Sequence, residues 1–125
     1  MKKFEKVYEA SFNMKLKEDK KRIIIDDIKL IKHVKKAAVA GNMTLKNLNI
    51  DYLHADYKGK KVPSYSISLI VMESHIALYT YPELNAIHIN ISTCASEKSL
   101  RDIVGYFEKV FGDKINYEMR IIELG

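Results

Sequence analysis

The chain has 125 residues, 47% of them hydrophobic, which is enough for one packed core and too little for two independent domains. No apolar run approaches the roughly eighteen residues needed to cross a bilayer, and the opening MKKFEKVYEASF lacks the apolar stretch of a secretory leader, so a cytoplasmic protein without a membrane role is expected. The net charge of +5 is uneven, with 16 Lys/Arg against 8 Asp/Glu in residues 1 to 61 and 5 against 8 thereafter, but the basic residues are interleaved with Glu18 and Asp19 or fall on one helical face, a solvated surface and not a nucleic-acid footprint.

Residues 4 to 14 alternate loosely and read as a first strand, followed by a basic loop or hairpin to Arg22. Asp26 or Asp27 offers an N-cap for a helix. Ile28, Ile31, Val34 and Ala38, with Leu30 and Ala37, recur there at helical spacing until Gly41-Asn42 stops it, leaving Lys29, Lys32, Lys35 and Lys36 outward. Residues 44 to 57 alternate as a strand that ends at a Lys58-Gly59-Lys60 turn. Three closely spaced strands follow, Tyr65 to Met72, His75 to Tyr81 and Ala86 to Thr93, joined by turns at Glu73-Ser74 and around Pro82 to Asn85.

A second helix, capped by Ser96 or Ser99, carries Leu100, Ile103, Val104, Phe107, Val110 and Phe111 along one side to Gly112, and Lys114 to Leu124 reads as a last strand. The expected order is written β-α-β-β-β-α-β, which counts three of the four stretches read as strands between the helices. The expected fold is therefore α+β, a two-layer sandwich of an antiparallel sheet with both helices on one face, in a single domain spanning 1–125.

Period-two alternation sorts the central strands into faces. Ile67, Leu69, Val71, Ile76, Leu78, Ile87, Ile89 and Ile91 form an apolar set that belongs under the helices. Ser66, Ser68, His75, Tyr79, Tyr81, His88, Asn90, Ser92 and Cys94 form the opposite set, too polar for a second core and too aromatic for plain surface. This places Ser66, Tyr79 and Cys94 on one side of the sheet, near the turn containing Ser74, and a site or a subunit interface is expected there.

Other chemistries find little support. Cys94 is the only cysteine, which rules out an internal disulfide and suits a reducing compartment. His33 lies among lysines and reads as surface, His54 has no partner at ligand spacing, and no cluster suggests a metal. Neither a Gly-rich phosphate loop nor a Gly-x-Ser-x-Gly elbow is present.

The ordered elements of residues 64 to 94 are a Ser-rich strand (Ser66, Ser68), Glu73-Ser74-His75, an aromatic-Pro-Glu turn (Tyr81-Pro82-Glu83) and Ser92-Thr93-Cys94. Together they resemble the self-processing segment of the small prokaryotic S-adenosylmethionine decarboxylases. Outside this stretch only the order of elements agrees. Tyr79 stands where the family usually has a histidine that assists self-cleavage, and Pro63-Ser64-Tyr65 and Ala95 stand where glycines are usual.

The resemblance implies that the Ser74 hydroxyl attacks the Glu73 carbonyl to give an ester, and that elimination then leaves a pyruvoyl group on a chain beginning at 74. This metal-free ketone is an electron sink for decarboxylation, doing the work of pyridoxal phosphate. By the same resemblance Ser66 assists processing, Cys94 reprotonates the product carbon, Tyr81 and Glu83 hold substrate, and Tyr57 and His75 are further site candidates. Tyr79 enters as a phenol that can donate a hydrogen bond, with His75 or His88 as other proton carriers. The expected activity is decarboxylation of S-adenosylmethionine for polyamine synthesis by a homodimer that stacks polar sheet faces. Arginine or ornithine decarboxylation is the related alternative, and Tyr79 motivates a non-processing homologue that acts as a binding or regulatory partner.

Overall fold

The structure, a computed structural model, describes residues 6–71, 74–112 and 114–124. Six strands, β1 (Lys6–Lys15), β2 (Leu45–Tyr57), β3 (Lys60–Val71), β4 (Ser74–Tyr81), β5 (Ala86–Thr93) and β6 (Arg120–Glu123), form one sheet in the order β2-β3-β4-β5-β1-β6. Every neighbouring pair is antiparallel. Two helices, α1 (Asp27–Ala40) and α2 (Glu97–Phe111), pack on one face, as the alternation predicts. Four strands separate the helices, one more than the order β-α-β-β-β-α-β counts, and they correspond to the four stretches read individually as strands from the sequence.

That pairing begins at a tight turn. Lys58 and Gly59 both have positive φ, 50° and 76°, the two left-handed residues of a type I′ hairpin turn, whose twist matches that of the strands it joins. β3 therefore starts at Lys60 and not at Tyr65. Pro63 is tolerated within it because the β4 ladder reaches only to Ser66, so its missing N–H deprives no partner on that side.

The core face is the one read from alternation: Ile67, Leu69, Val71, Ile76, Leu78, Ile87, Ile89 and Ile91 are all buried. β1 adds Ala10, Phe12 and Met14, and α2 covers them with Leu100, Ile103, Val104, Phe107 and Phe111. Asp26 caps α1, its carboxylate accepting from the Lys29 N–H at 3.1 Å. Ser96, and not Ser99, caps α2, accepting from the Ser99 N–H at 2.9 Å, and Gly112 ends it with φ 78°.

Four expectations need correction. Ile28 is 76% exposed, since the buried stripe runs Leu30, Val34, Ala37 and Ala38, and Ile28 sits on the opposite side of the helix from Leu30. The basic segment after β1 is a 3-10 turn, Glu18–Ile25, anchored by the buried side chains of Leu16 just before it and Ile24 within it. β6 spans only Arg120–Glu123, opposite Lys6 to Glu9. Residues before it pack Ile115, Tyr117 and Met119 against the core, and the Glu108 carboxylate takes the Ile115 N–H at 2.8 Å.

The fourth is His33, which is half-buried and not a surface residue. Its Nδ1 lies 2.9 Å from the Tyr106 hydroxyl, tying α1 to α2, and burial raises the Tyr106 phenol above its ordinary value. Among the described residues no helix is long and apolar enough to cross a membrane.

Candidate active site

Ser74 opens β4, and strand parity governs where its side chain goes. It pairs with Val71 on β3 and shares the parity of Ile76 and Leu78, so its hydroxyl turns toward the helix side of the sheet. There it meets Thr93, which is fully buried at the end of β5. The Ser74 Oγ donates to Thr93 Oγ1 at 3.2 Å and accepts from the Cys94 N–H at 3.3 Å. Thr93 Oγ1 also accepts from the Ala95 N–H at 3.1 Å. The nucleophile candidate is thus held on both sides, with the half-buried Cys94 beside it.

The polar face carries the remaining candidates in cross-sheet rows. One row runs Asp51, Ser66, Tyr79, His88 and Asn13, each the ladder partner of the next. Tyr79 and His88 have ring centroids 6.1 Å apart at 30°, and His88 Nδ1 lies 2.6 Å from Asn13 Oδ1. In the adjacent region His75 Nε2 lies 2.8 Å from Asn90 Oδ1, and the Asn90 amide donates to the Ser11 hydroxyl. These bonds fix two imidazoles on a surface that strand alternation alone would leave free to rotate.

Parity and distance divide the sequence-predicted site into two clusters. Ser74, Thr93 and Cys94 come together at one end of the β4–β5 pair. Ser66 and Tyr79 share the polar face, as expected, and are ladder partners, but Tyr79 is five residues down β4, about 16 Å from Ser74 at the usual rise per residue. They are not near the Ser74 turn within one chain. Tyr81 and the exposed Glu83, on the 3-10 turn Pro82–Leu84, are farther still, Tyr81 lying about 23 Å along the strand. His75 lies on the polar face beside Ser74. Glu73 lies outside the described residues, and so does the Tyr57 side chain; the Tyr57 backbone ends β2 opposite Lys60.

Thr93 and Asp51 carry parts of this arrangement that were not singled out from the sequence. Parity links Thr93 to the buried isoleucines of β5 and Ser74 to Ile76, so their shared side was readable, but their contact requires the β4–β5 register. Asp51 faces Ser66 only because β2 and β3 pair in the register that the type I′ turn imposes.

Two open concavities bracket the clusters. One, of about 500 Å³, lies beside Ser74, His75, Ser68 and Asn90 and reaches Tyr79, which borders both. The other, of about 560 Å³, lies at the Ser66, Tyr79 and Tyr81 end. Below the latter, on the helix side, burial first and then the carboxylates of Asp27 and Asp26 push the Tyr65 phenol above its ordinary value. Among the described residues no group of three or more His, Cys, Asp or Glu side chains could hold a metal ion.

An antiparallel sheet backed by two helices, with a hydrogen-bonded serine at a strand start beside a cysteine, is a two-layer α+β fold with a candidate nucleophile at one end of the sheet. The profile of the S-adenosylmethionine decarboxylase family matches residues 14–123, and the chain belongs to that family. It is 38% identical over 77 residues to an S-adenosylmethionine decarboxylase proenzyme of Sulfolobus acidocaldarius, covering 61% of this chain and 56% of the relative. It is 31% identical over 93 residues to an arginine decarboxylase proenzyme of Caldivirga maquilingensis, covering 74% and 66%. The match thus spans a little over half the length of the first of these relatives and about two thirds of the second. The fold matches the crystal structure of the adenosylmethionine decarboxylase of Aquifex aeolicus, with a TM-score of 0.68 at 15% identity over 99% of this chain and 93% of that one.

Proposed function

We propose that this protein is a pyruvoyl-dependent decarboxylase that acts on S-adenosylmethionine. The observation that carries the reading is the Ser74 hydroxyl held between Thr93 Oγ1 and the Cys94 N–H. A serine hydroxyl is a weak nucleophile, and a fixed orientation supplies much of what an intramolecular attack requires. Attack on the Glu73 carbonyl carbon breaks the Glu73–Ser74 C–N bond and forms an ester. Removal of the Ser74 α-proton then expels the Glu73 carboxylate, and hydrolysis of the resulting enamine releases ammonia, leaving a ketone at residue 74.

The residues present fit such a group, since the position is a serine, lies at a strand start beside a cysteine, and needs no metal. When formed, the group is an electron sink for loss of carbon dioxide. In this reading Cys94 returns a proton to the carbon that loses carbon dioxide. In the same reading Tyr81 and Glu83 hold substrate at the other end of the sheet.

The two clusters make sense as one site in a homodimer. An in-plane twofold axis perpendicular to the strands would stack two polar faces and reverse their ends. The Ser74 end of one protomer would then lie over the Ser66, Tyr79 and Tyr81 end of its partner. This arrangement also covers a face that is polar and aromatic at once.

The relative named as an arginine decarboxylase supports arginine as the second substrate candidate. Tyr79, in place of an imidazole, supports a second reading, a homologue that keeps the fold and dimer and acts as a binding partner without processing. Release of labelled carbon dioxide from S-adenosylmethionine, arginine and ornithine tests these readings together. The decarboxylase reading expects turnover of one of them above a Ser74→Ala control; no turnover of any above that control would reject it.

A further inference from the structure

The 560 Å³ groove at the far end of the sheet contains a carboxylate that makes no ion pair with any of the described residues. On the polar face its side chains are Asp51 and Leu53 from β2, Ser64 and Ser66 from β3, and Tyr79 and Tyr81 from β4. Ser64 is committed, donating to the Thr80 carbonyl at 2.6 Å. Tyr79 and Tyr81 are each more than a third exposed and present open ring surface. Asp51 is exposed, and none of its same-face neighbours, Asn49, Leu53 and Ser66, carries a charge. The volume lies within the range of small-molecule sites.

We infer that this groove binds the distal cation of an α-amino acid substrate, with Asp51 as the residue that selects for the positive charge. A carboxylate attracts either a sulfonium or a guanidinium, and with a guanidinium it can form two parallel hydrogen bonds. The tyrosine faces add cation–π attraction, which favours a weakly hydrated cation over a neutral isostere of the same shape. The small serines between leave room for the ligand to reach both. The Asp26 and Asp27 carboxylates on the far side of the sheet, near Tyr65, add to the negative potential of this end. The inference deepens the decarboxylase reading by naming the charge of its substrate and the group that recognises it.

The test is equilibrium titration of the full chain carrying Ser74→Ala, which leaves the groove intact and cannot turn over. The ligands are two pairs that differ in distal charge: S-adenosylmethionine against S-adenosylhomocysteine, and arginine against citrulline. Within one pair the cation is expected to bind at least tenfold more tightly, which also tells sulfonium from guanidinium. Asp51→Asn is expected to bring that ratio to near one, and Asp51→Glu to retain most of it. Equal binding within both pairs, no binding of any of the four, or a preference unchanged by Asp51→Asn would overturn the inference. Cleavage at Ser74 in the natural chain reports separately on the decarboxylase reading. Charge-selective binding without cleavage would remove that reading alone, and cleavage with charge-blind binding would remove only this inference.

Discussion

Tyr79 faces His88 directly across the β4–β5 ladder, and His88 in turn is held by Asn13 on β1. The position usually given to a histidine in this family thus carries a phenol with an imidazole immediately beside it. A phenol ordinarily titrates near 10, whereas imidazole is the side chain that exchanges protons in the neutral range. Tyr79→His is therefore expected to speed cleavage at Ser74 by tenfold or more and to give it a neutral-range pH dependence. Time courses of intact mass at several pH values would check this, and an unchanged rate would show that position 79 does not limit processing.

Thr93→Val keeps the shape of a fully buried side chain while removing the oxygen that accepts from Ser74 and from the Ala95 N–H. Cleavage is expected to slow by at least tenfold, because the Ser74 hydroxyl loses its orientation. Stability should fall by about 1–3 kcal/mol, the cost of leaving a buried donor unpaired. Thermal melting alongside the cleavage assay separates the two effects.

Face-to-face dimerisation makes Ser68 a sensitive position. It lies in the middle of the polar face, opposite Asn49 on one side and Ala77 on the other. Ser68→Arg is expected to convert a particle of twice 14.4 kDa to one of 14.4 kDa in light scattering. A natural chain that already runs as a monomer would contradict the proposed assembly.

Gly41 ends α1 against α2. Any Cβ there would stand 2.6 Å from Ile103 Cγ1, and the Gly41 carbonyl accepts from the buried Ser99 hydroxyl at 2.6 Å. Its φ of −83° carries no strain for other residues, so the penalty is steric. Gly41→Ala should cost about 1–3 kcal/mol as Ile103 is displaced, and Ile103→Val in the same chain should recover part of it. Denaturant unfolding of the single and double variants measures this.

Alkaline pH gives another handle on the helix layer. Burial raises the Tyr106 phenol, and burial followed by the Asp27 and Asp26 carboxylates raises that of Tyr65. Below pH about 10 both are neutral whether the chain is folded or not, and their contribution is fully present. Above it the unfolded chain ionises first, so stability is lost as pH rises through the raised folded values. Tyr106→Phe is expected to make that alkaline decline shallower, at a cost of about 1 kcal/mol near neutrality from the lost His33 bond.

The sheet faces, both helices and the turns at Lys58-Gly59 and Pro82 to Asn85 were legible because each depends on local period and turn chemistry, whereas the turn expected at Glu73-Ser74 was not, since Ser74 already belongs to β4 and Glu73 lies outside the described residues. Ile67 and Leu78 had to be buried by alternation, and Ser96 and Gly112 mark α2 by capping. What escaped depends on pairing between distant segments. The Thr93 contact with Ser74, the place of Asp51 beside Ser66 and the His33–Tyr106 bond all require a register or a helix packing angle that no single stretch encodes. β6 was overextended because residues 114 to 119 alternate as a strand does, yet their apolar side chains pack on the core without a ladder partner. The distance from Ser74 to Tyr79 was readable from spacing alone, and it is what turns one apparent site into two halves.

Self-cleavage is the central claim, and an intact mass of freshly purified protein, before and after prolonged incubation, tests it most directly. Two fragments matching residues 1–73 and 74–125, the second with its terminal amine replaced by a ketone, are the predicted result. A single chain that stays at 14.4 kDa throughout, indistinguishable from Ser74→Ala, would contradict it.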